Sequence, residues 1–399
     1  MTDTEAARGA HSPLDPVRLK AATPGAANRL HLDNAGAALM PESVISALTD
    51  HIALEARVGG YVAQERVADR LAALYPRLAA LFGGAADDYA FTASAVDAWT
   101  RAFYSVPMAA GDNLVTAYND YCSNYVAYLH RAERDGVEIR VAGSPGSGIT
   151  DADVARLIDR RTRLVSLSHV PSSSGEVNPV AAIGAVCRAA DVPFLLDACQ
   201  SAGQLPLDVA RIGCHMMTGT GRKFLRGPRG TGFLYVRADM RERLLPVMLT
   251  NTTGWVAQDR IQIPDSTRMF EAWERSVAGQ LGLLAALDGL WATGPQAVHD
   301  RIAALAERLR RGLAALEGVE MGCPEGASAG IVTFTLAGRS PQQVKAALEA
   351  EDIAVQVASV AHTRRDLEPR GIDSLVRVSP HVYVLEAEID RFLDRVAAL

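Results

Sequence analysis

Val192-Pro-Phe-Leu-Leu-Asp-Ala-Cys-Gln-Ser-Ala-Gly203 is the stretch that decides how this chain folds. Val192–Asp197 is an apolar run of strand length that ends in a carboxylate and passes into small and polar residues. A strand apolar on both sides belongs inside a parallel or mixed sheet covered on both faces. Its terminal carboxylate then stands at the carboxyl edge of the sheet, where α/β folds bind ligands. Similar short runs occur at Tyr89–Thr92, Asn113–Ala117, Arg163–Ser168 and Gly232–Val236, with amphipathic segments such as Asp151–Ile158 and Pro179–Ala190 between them. Strands alternating with helices predict βαβ units.

The character changes after about residue 270. Gln296–Leu316 reads as a long amphipathic helix. Strand Gly330–Leu336, a helix capped by Ser340 with Pro341 at its first position, strands Ile353–Val357 and Leu375–Ser379, and a helix from Glu386 follow. These elements predict a small α+β domain. The expected division is an N-terminal arm over 1–28, a large domain over 29–265 and a small domain over 266–399, since 399 residues exceed one hydrophobic core.

The composition is 49% hydrophobic and 22% charged, with a net charge of −6 and no basic footprint, so nucleic acid is not expected as a partner. No apolar stretch reaches the length of a membrane span, and the polar N-terminus lacks a signal-peptide core, so a cytoplasmic protein without membrane contact is expected. Five cysteines without a CxxC pair, and nine histidines without an HExxH arrangement, point to neither a disulfide framework nor a metal site.

A second segment carries chemistry. Thr218-Gly-Thr-Gly-Arg-Lys-Phe-Leu-Arg-Gly-Pro-Arg-Gly-Thr-Gly232 sets Lys223 among glycines, 26 residues beyond Asp197. Alone, Asp197 reads as a capping residue and Lys223 as a solvated lysine. Together, one helix-and-strand unit apart, they suit pyridoxal phosphate (PLP), which needs a lysine amine for its aldehyde, a carboxylate for its pyridine nitrogen and a helix start for its phosphate.

Here the chain resembles the class V aminotransferase family of PLP fold type I, which includes cysteine desulfurases and isopenicillin-N-epimerase-like proteins. The resemblance runs from His31-Leu-Asp-Asn-Ala-Gly-Ala37 to about residue 395. It implies an α/β fold with a mostly parallel, seven-stranded type of sheet in the large domain. Phe91-Thr-Ala-Ser-Ala-Val-Asp97 is similar to the family's phosphate turn, which implies that Ser94, Ala95 and Val96 donate backbone N–H groups; Val96 stands where relatives carry Thr. Asp120-Tyr-Cys-Ser-Asn124 is similar to the segment whose aromatic residue covers the cofactor ring, here Tyr121, which as a bare residue could equally be core. In Ser168-His-Val-Pro-Ser-Ser-Ser-Gly175, Ser172 replaces an Asn near the cofactor's phenolic oxygen, and Gln200 matches the residue bonded to that oxygen. Thr220 and Arg222 are implied phosphate contacts. Asn251-Thr-Thr-Gly254 implies a homodimer in which Thr253 reaches the partner's phosphate.

Arg377, in Leu375-Val-Arg-Val-Ser-Pro-His-Val-Tyr383, is implied to grip a substrate α-carboxylate. Desulfurases need a mobile cysteine shortly before that arginine, but no cysteine lies between Ile353 and Val376, and Cys323 precedes an earlier strand. Arg57-Val-Gly-Gly-Tyr61, Arg222-Lys223 and residues 377–382 resemble C–S lyases acting on cysteine S-conjugates or sulfoxides, such as those of ergothioneine pathways. That implies Asn34, Gly60 and Tyr61 near the substrate, although Gly59-Gly60-Tyr61 alone is equally a tight turn with a packed tyrosine. The expected function is therefore β-elimination from a cysteine thioether or sulfoxide to a thiol or sulfenate, pyruvate and ammonia, with Lys223 and Asp197 catalytic. Oxidative decarboxylation, epimerisation, transamination and a non-enzymatic scaffold on the same fold stay open.

Overall fold

The computed structural model describes residues 14–251 and 254–399. Seven strands form the central sheet: β1 (Tyr89–Thr92), β2 (Asn113–Ala117), β3 (Glu138–Ala142), β4 (Thr162–Ser168), β5 (Phe194–Asp197), β6 (Met216–Thr220) and β7 (Gly232–Val236). Their spatial order is β1-β7-β6-β5-β4-β2-β3, with β7 antiparallel to both neighbours and every other pair parallel. Residues of β1, β2, β5, β6 and β7 are buried throughout, as a sheet covered on both faces requires. Pro193 cannot donate to the ladder, so β5 begins one residue after it, while its carbonyl still accepts from Val165 N (2.9 Å).

Two of these strands were not expected from the sequence. β3 is an edge strand with only Ala142 buried; Glu138-Ile-Arg-Val-Ala142 alternates over four residues alone and makes no continuous apolar run. Met216-Met-Thr-Gly-Thr220 carries glycine and threonine that resemble the loop it leads into, yet all five residues are buried.

Helix α1 (Glu42–Val58) precedes the sheet, α2 (Ala95–Ser105) follows β1, and α3 (Cys122–Asp135) follows β2. Helix α4 (Val277–Thr293) contributes Leu283, Leu284 and Leu287 to the core over the central sheet and packs on α1. These residues lie in the stretch 266–399 that the sequence assigns to the small domain, and they pack over the central sheet. From Ala278 to Leu287 α4 is buried on nearly all sides, so that stretch has no amphipathic period for a sequence reading to find.

The C-terminal unit is built from α5 (Pro295–Ala314), a four-stranded antiparallel sheet of β8 (Val319–Met321), β9 (Val332–Leu336), β10 (Gln356–Ser359) and β11 (Ser374–Val378), with α6 (Pro341–Glu349) and α7 (Glu386–Ala397). Its order is β8-β9-β11-β10. Ser340 caps α6 by accepting from Gln343 N (3.2 Å), and Gln343 returns the bond to Ser340 N (2.8 Å). The run expected as Ile353–Val357 divides: Ile353–Ala354 pairs in parallel with Leu30–His31, and β10 joins the small sheet. The described part of the arm holds a short helix, Pro16–Ala21, capped by Asp15.

The start of α2 is set by a close approach. A Cβ on Gly232 of β7 would stand 2.5 Å from the carbonyl carbon of Ser94 and 2.8 Å from Ala95 N. Gly232→Ala should therefore push the first turn of α2 away from the sheet. Denaturant titration is expected to show a loss of about 1–3 kcal/mol, in the range of core overpacking.

Candidate active site

The carboxyl ends of β4, β5 and β6 present Ser168, Asp197 and Thr220 along one sheet edge. Asp197 is 6% exposed and Lys223 7%. What joins their two turns is Gly203. Its φ is +95°, and a Cβ there would run into the backbone carbonyl of Phe224, so the turn after Asp197 lies backbone to backbone on the lysine loop. That loop closes on itself through Arg226 N to Lys223 O (2.8 Å) and Gly227 N to Gly221 O (2.7 Å).

Burial is the largest influence on the Lys223 amine and lowers its pKa; Arg222 and Arg377 push the same way, against Cys199 and Asp197. A lysine in such a site gives up its proton more readily than one in water and is a better nucleophile and base at neutral pH. Asp197 Oδ1 accepts from Cys199 N (2.9 Å) and Oδ2 from Asn124 Nδ2 (3.0 Å). Asn124 also reaches Asp120 Oδ1 (3.3 Å), and Asp120 further accepts from Ser168 Oγ (2.6 Å), Tyr128 OH (2.7 Å), Thr116 Oγ1 (3.0 Å) and Tyr121 N (2.8 Å). Burial, with Asp197 adding to it, raises the Asp120 carboxyl. His169, whose backbone N donates to Asp197 O (2.9 Å), is held down to about 4 by burial and is neutral. Asp120 and Asn124 were not singled out from the sequence; their four-residue spacing across the start of α3 was the available signal.

The other expected residues fall into groups. Tyr121, at the N-cap of α3, has its ring centroid 5.9 Å from Lys223 Nζ. Gln200 donates to Ala35 O (3.2 Å), while its buried Oε1 has no partner. Arg377 on β11 crosses from the small sheet to pair with Asp33 Oδ1 (3.1 Å) and to donate to the carbonyl of Ser172 (3.2 Å); its Nε has no partner. Arg222 donates to Gly36 O, and Thr220 Oγ1 to Thr231 O (3.4 Å). Ser94 caps α2 through Asp97 N (3.0 Å), Ala95 is buried and the side chain of Val96 is turned out. Thr253 lies outside the described residues.

Two expectations meet a different geometry. The side chain of Asn34 is taken up structurally, its Nδ2 donating to Ser379 O (2.7 Å) and His31 O (3.3 Å), and its Oδ1 accepting from Tyr383 OH (2.5 Å). It ties the N-terminal segment to the end of β11 rather than offering an amide to a ligand. Gly60 and Tyr61 are exposed, and Tyr61, at 71%, leans on Trp273 (ring centroids 6.2 Å) at a cavity whose lining includes none of Lys223, Asp197 and Arg377.

The arrangement fits pyridoxal phosphate. It offers a buried amine of lowered pKa, a carboxylate fixed by two donors, an unpartnered amide oxygen, and an eleven-residue helix whose start is clear of any Cβ from Gly232. Among the described residues no His, Cys, Asp or Glu group could hold a metal ion, and no helix is long and apolar enough to cross a membrane.

The aminotransferase class-V family profile matches residues 30–392. The chain is 28% identical over 372 residues to a probable cysteine desulfurase of Methanothermobacter thermautotrophicus, covering 91% of this chain and 92% of that protein. It is 30% identical over 403 residues to a probable hercynylcysteine sulfoxide lyase of Mycobacterium tuberculosis, covering 98% and 95%. Among solved structures it is similar to the cystine C–S lyase C-DES in complex with its product cysteine persulfide, at 26% identity and TM-score 0.85, covering 94% and 99%. A lysine-to-alanine variant of C-DES, similar at TM-score 0.86 and 25% identity, holds glycine covalently linked to the PLP cofactor; that match covers 95% of this chain and 98% of the variant.

The depressed pKa of Lys223 has a measurable sign. A lysine charged in the unfolded chain up to about pH 10.4 is disfavoured when buried, so the folded apo-protein loses stability below that pH and regains it as pH rises toward it. The apo form of Lys223→Met should therefore be more stable than wild-type apo-protein at pH 7. The difference in urea midpoint should shrink steadily by pH 10.

Proposed function

The chain belongs to the class V aminotransferase family and is a pyridoxal-phosphate enzyme; on that premise we propose that it is a C–S β-lyase acting on a cysteine S-conjugate, a thioether or sulfoxide. The observation that carries this reading is the segment between β10 and β11. It leans on the site through Thr363 Oγ1 to Ser173 Oγ (2.6 Å) and through Arg365, whose guanidinium lies 4.8 Å over the Tyr125 ring, and it carries no thiol. Cys323 is held elsewhere, against Thr333. Cys199 lies beside the lysine, but burial pushes it up to about 12, so at neutral pH it is a protonated thiol and a poor nucleophile. A persulfide route lacks its acceptor, whereas β-elimination needs only a base. The 30% identity to the sulfoxide lyase over nearly the whole chain supports the same choice.

Bound at this edge, pyridoxal phosphate supplies the electron sink that lets a proton leave the substrate's α-carbon. Lys223 would hold the cofactor, and its Nζ would take that proton as general base. Asp197, fixed by Asn124 and Cys199 N, sits where it can keep the pyridine nitrogen charged. Tyr121 would cover the ring, and Ser94, Ala95 and Val96 at the start of α2, with Thr220 and Arg222, would hold the phosphate. Ser172 and Gln200, whose Oε1 has no partner, would serve its phenolic oxygen. Arg377, its plane set by Asp33 and the Ser172 carbonyl, takes the substrate carboxylate in its bidentate fork. The Cβ–S electron pair leaves with the thiol or sulfenate, and the three-carbon remainder hydrolyses to pyruvate and ammonia.

The reading includes a homodimer. The hairpin Gly254–Ala257 and Arg260–Gln262 is exposed at every residue, with Trp255 77% exposed beside Val256 and Ile261, and Trp273 stands 45% exposed nearby in the chain. Contiguous apolar side chains of this size mark an interface. Trp255→Glu should convert a dimeric sedimentation profile to a monomeric one; wild-type protein that sediments as a monomer sinks the dimer.

Product analysis tests the reaction. With S-methylcysteine or its sulfoxide, pyruvate should form in step with released sulfur product, and with L-cysteine under reductant the organic product should again be pyruvate; alanine as the main product would instead establish desulfuration. Arg377→Ala should lower kcat/KM about 10²-fold or more, as loss of a charged carboxylate contact does, with Arg377→Lys between the two.

A further inference from the structure

Behind the lysine turn lies a second cavity of about 450 Å³, between the N-terminal segment 14–22, the C-terminal half of α4 and residues 381–382. Its walls are largely apolar, from Leu14, Leu19, Leu225, Leu290, Val298 and Val382. One lining residue does not fit an apolar wall. Arg226 is only 8% exposed, and its backbone is left-handed at φ +61°, a strained conformation for a residue with a long side chain.

Its guanidinium is only partly satisfied. Nε donates to Leu39 O (3.1 Å), Nη2 donates to Thr23 Oγ1 (2.5 Å), and the plane lies 4.7 Å over the Tyr383 ring. All of these partners are neutral, and no carboxylate among the described residues pairs with it. Asp15 also borders the cavity, but its carboxylate accepts from its own helix at Val17 N (3.0 Å) and Arg18 N (3.2 Å). Arg18 adds a second positive group to the rim, and His381, neutral because burial holds it down to about 3, adds none. A buried cation kept without a counter-ion, at a strained backbone position in the wall of an apolar space of ligand size, lacks one component.

We propose that this cavity is a binding site for a small amphipathic carboxylate, its anionic head on Arg226 and its apolar body against Leu19, Leu290 and Val298. The site is separate from the one that holds pyridoxal phosphate and does not rest on the reaction proposed above. It adjoins that site through Phe224 and Leu225, which line the cavity directly after Lys223, and through the bond Arg226 N to Lys223 O.

Isothermal titration of the full-length holoenzyme tests it, with octanoate as probe and octylamine and octan-1-ol as controls. Octanoate should bind at one site per chain, at least tenfold more tightly than either control. Arg226→Gln should abolish that binding and Arg226→Lys should weaken it. Gly289→Phe provides an arm that leaves the arginine untouched: a Cβ at Gly289 meets no atom within 4 Å, so the ring can fill the cavity, and binding should vanish while the visible spectrum of the cofactor is unchanged. Octanoate binding no better than octylamine, or binding that survives Gly289→Phe, overturns the proposal.

Discussion

Everything at this site follows from keeping an amine and a carboxylate out of water at one sheet edge. Neither group can be buried alone without cost: an isolated charge in a dry interior loses its hydration, and the protein must answer with neutralisation, pairing or hydrogen bonds. The two residues are answered differently. Lys223 gives way by becoming a weaker base, with burial the largest cause and two arginines adding to it. Asp197 keeps its place through fixed donors from Asn124 and the Cys199 amide. The glycine that lets their turns meet backbone to backbone is as much a part of this as either charged group, because a methyl at Gly203 would separate them.

The small sheet matters because it carries Arg377 to the same edge. β11 is held there through its continuation. Ser379 N donates to Leu32 O (2.7 Å), Ser379 O accepts from Asn34, and His381 is stacked between Phe224 (5.7 Å) and Tyr383 (5.6 Å). Phe224 is the residue after Lys223, so one aromatic stack fixes the lysine turn against the strand that presents the arginine. On the proposed reading, that stack keeps the carboxylate contact and the base in register.

Much of this was legible in the chain. The apolar runs at Tyr89, Asn113, Arg163, Val192 and Gly232 announce buried strands, and Asp197 with Lys223 names the cofactor chemistry before any coordinates. What escaped did so for physical reasons. β3 is half solvated at the sheet edge, β6 is built from residues that also make loops, and α4 is buried on nearly all sides from Ala278 to Leu287. Asn34, placed by resemblance near the substrate, turns its amide to the domain joint, because a buried asparagine must satisfy both its N–H groups and its carbonyl, and Ser379 O, His31 O and Tyr383 OH were the groups at hand. Hydrogen-bond closure of that kind depends on residues some 345 positions away and leaves no mark in a local pattern.

The layer beneath Asp197 shows why that edge is rigid. Asp120 takes hydrogen bonds from β2, β4 and α3, the last through both Tyr128 and the Tyr121 amide at its start, and Asn124 bridges it to Asp197. A buried polar network is stabilising only when nearly every member is satisfied, and here each oxygen of Asp120 has at least two donors. The amide of Asn124 can serve both acids at once because it offers two N–H groups and no positive charge. A lysine in its place would pair with one carboxylate and bring a further cation toward Lys223; a leucine would leave Asp197 with a single donor. The asparagine is the side chain at this position that holds two neighbouring carboxyls without adding a charge of its own beside Asp197.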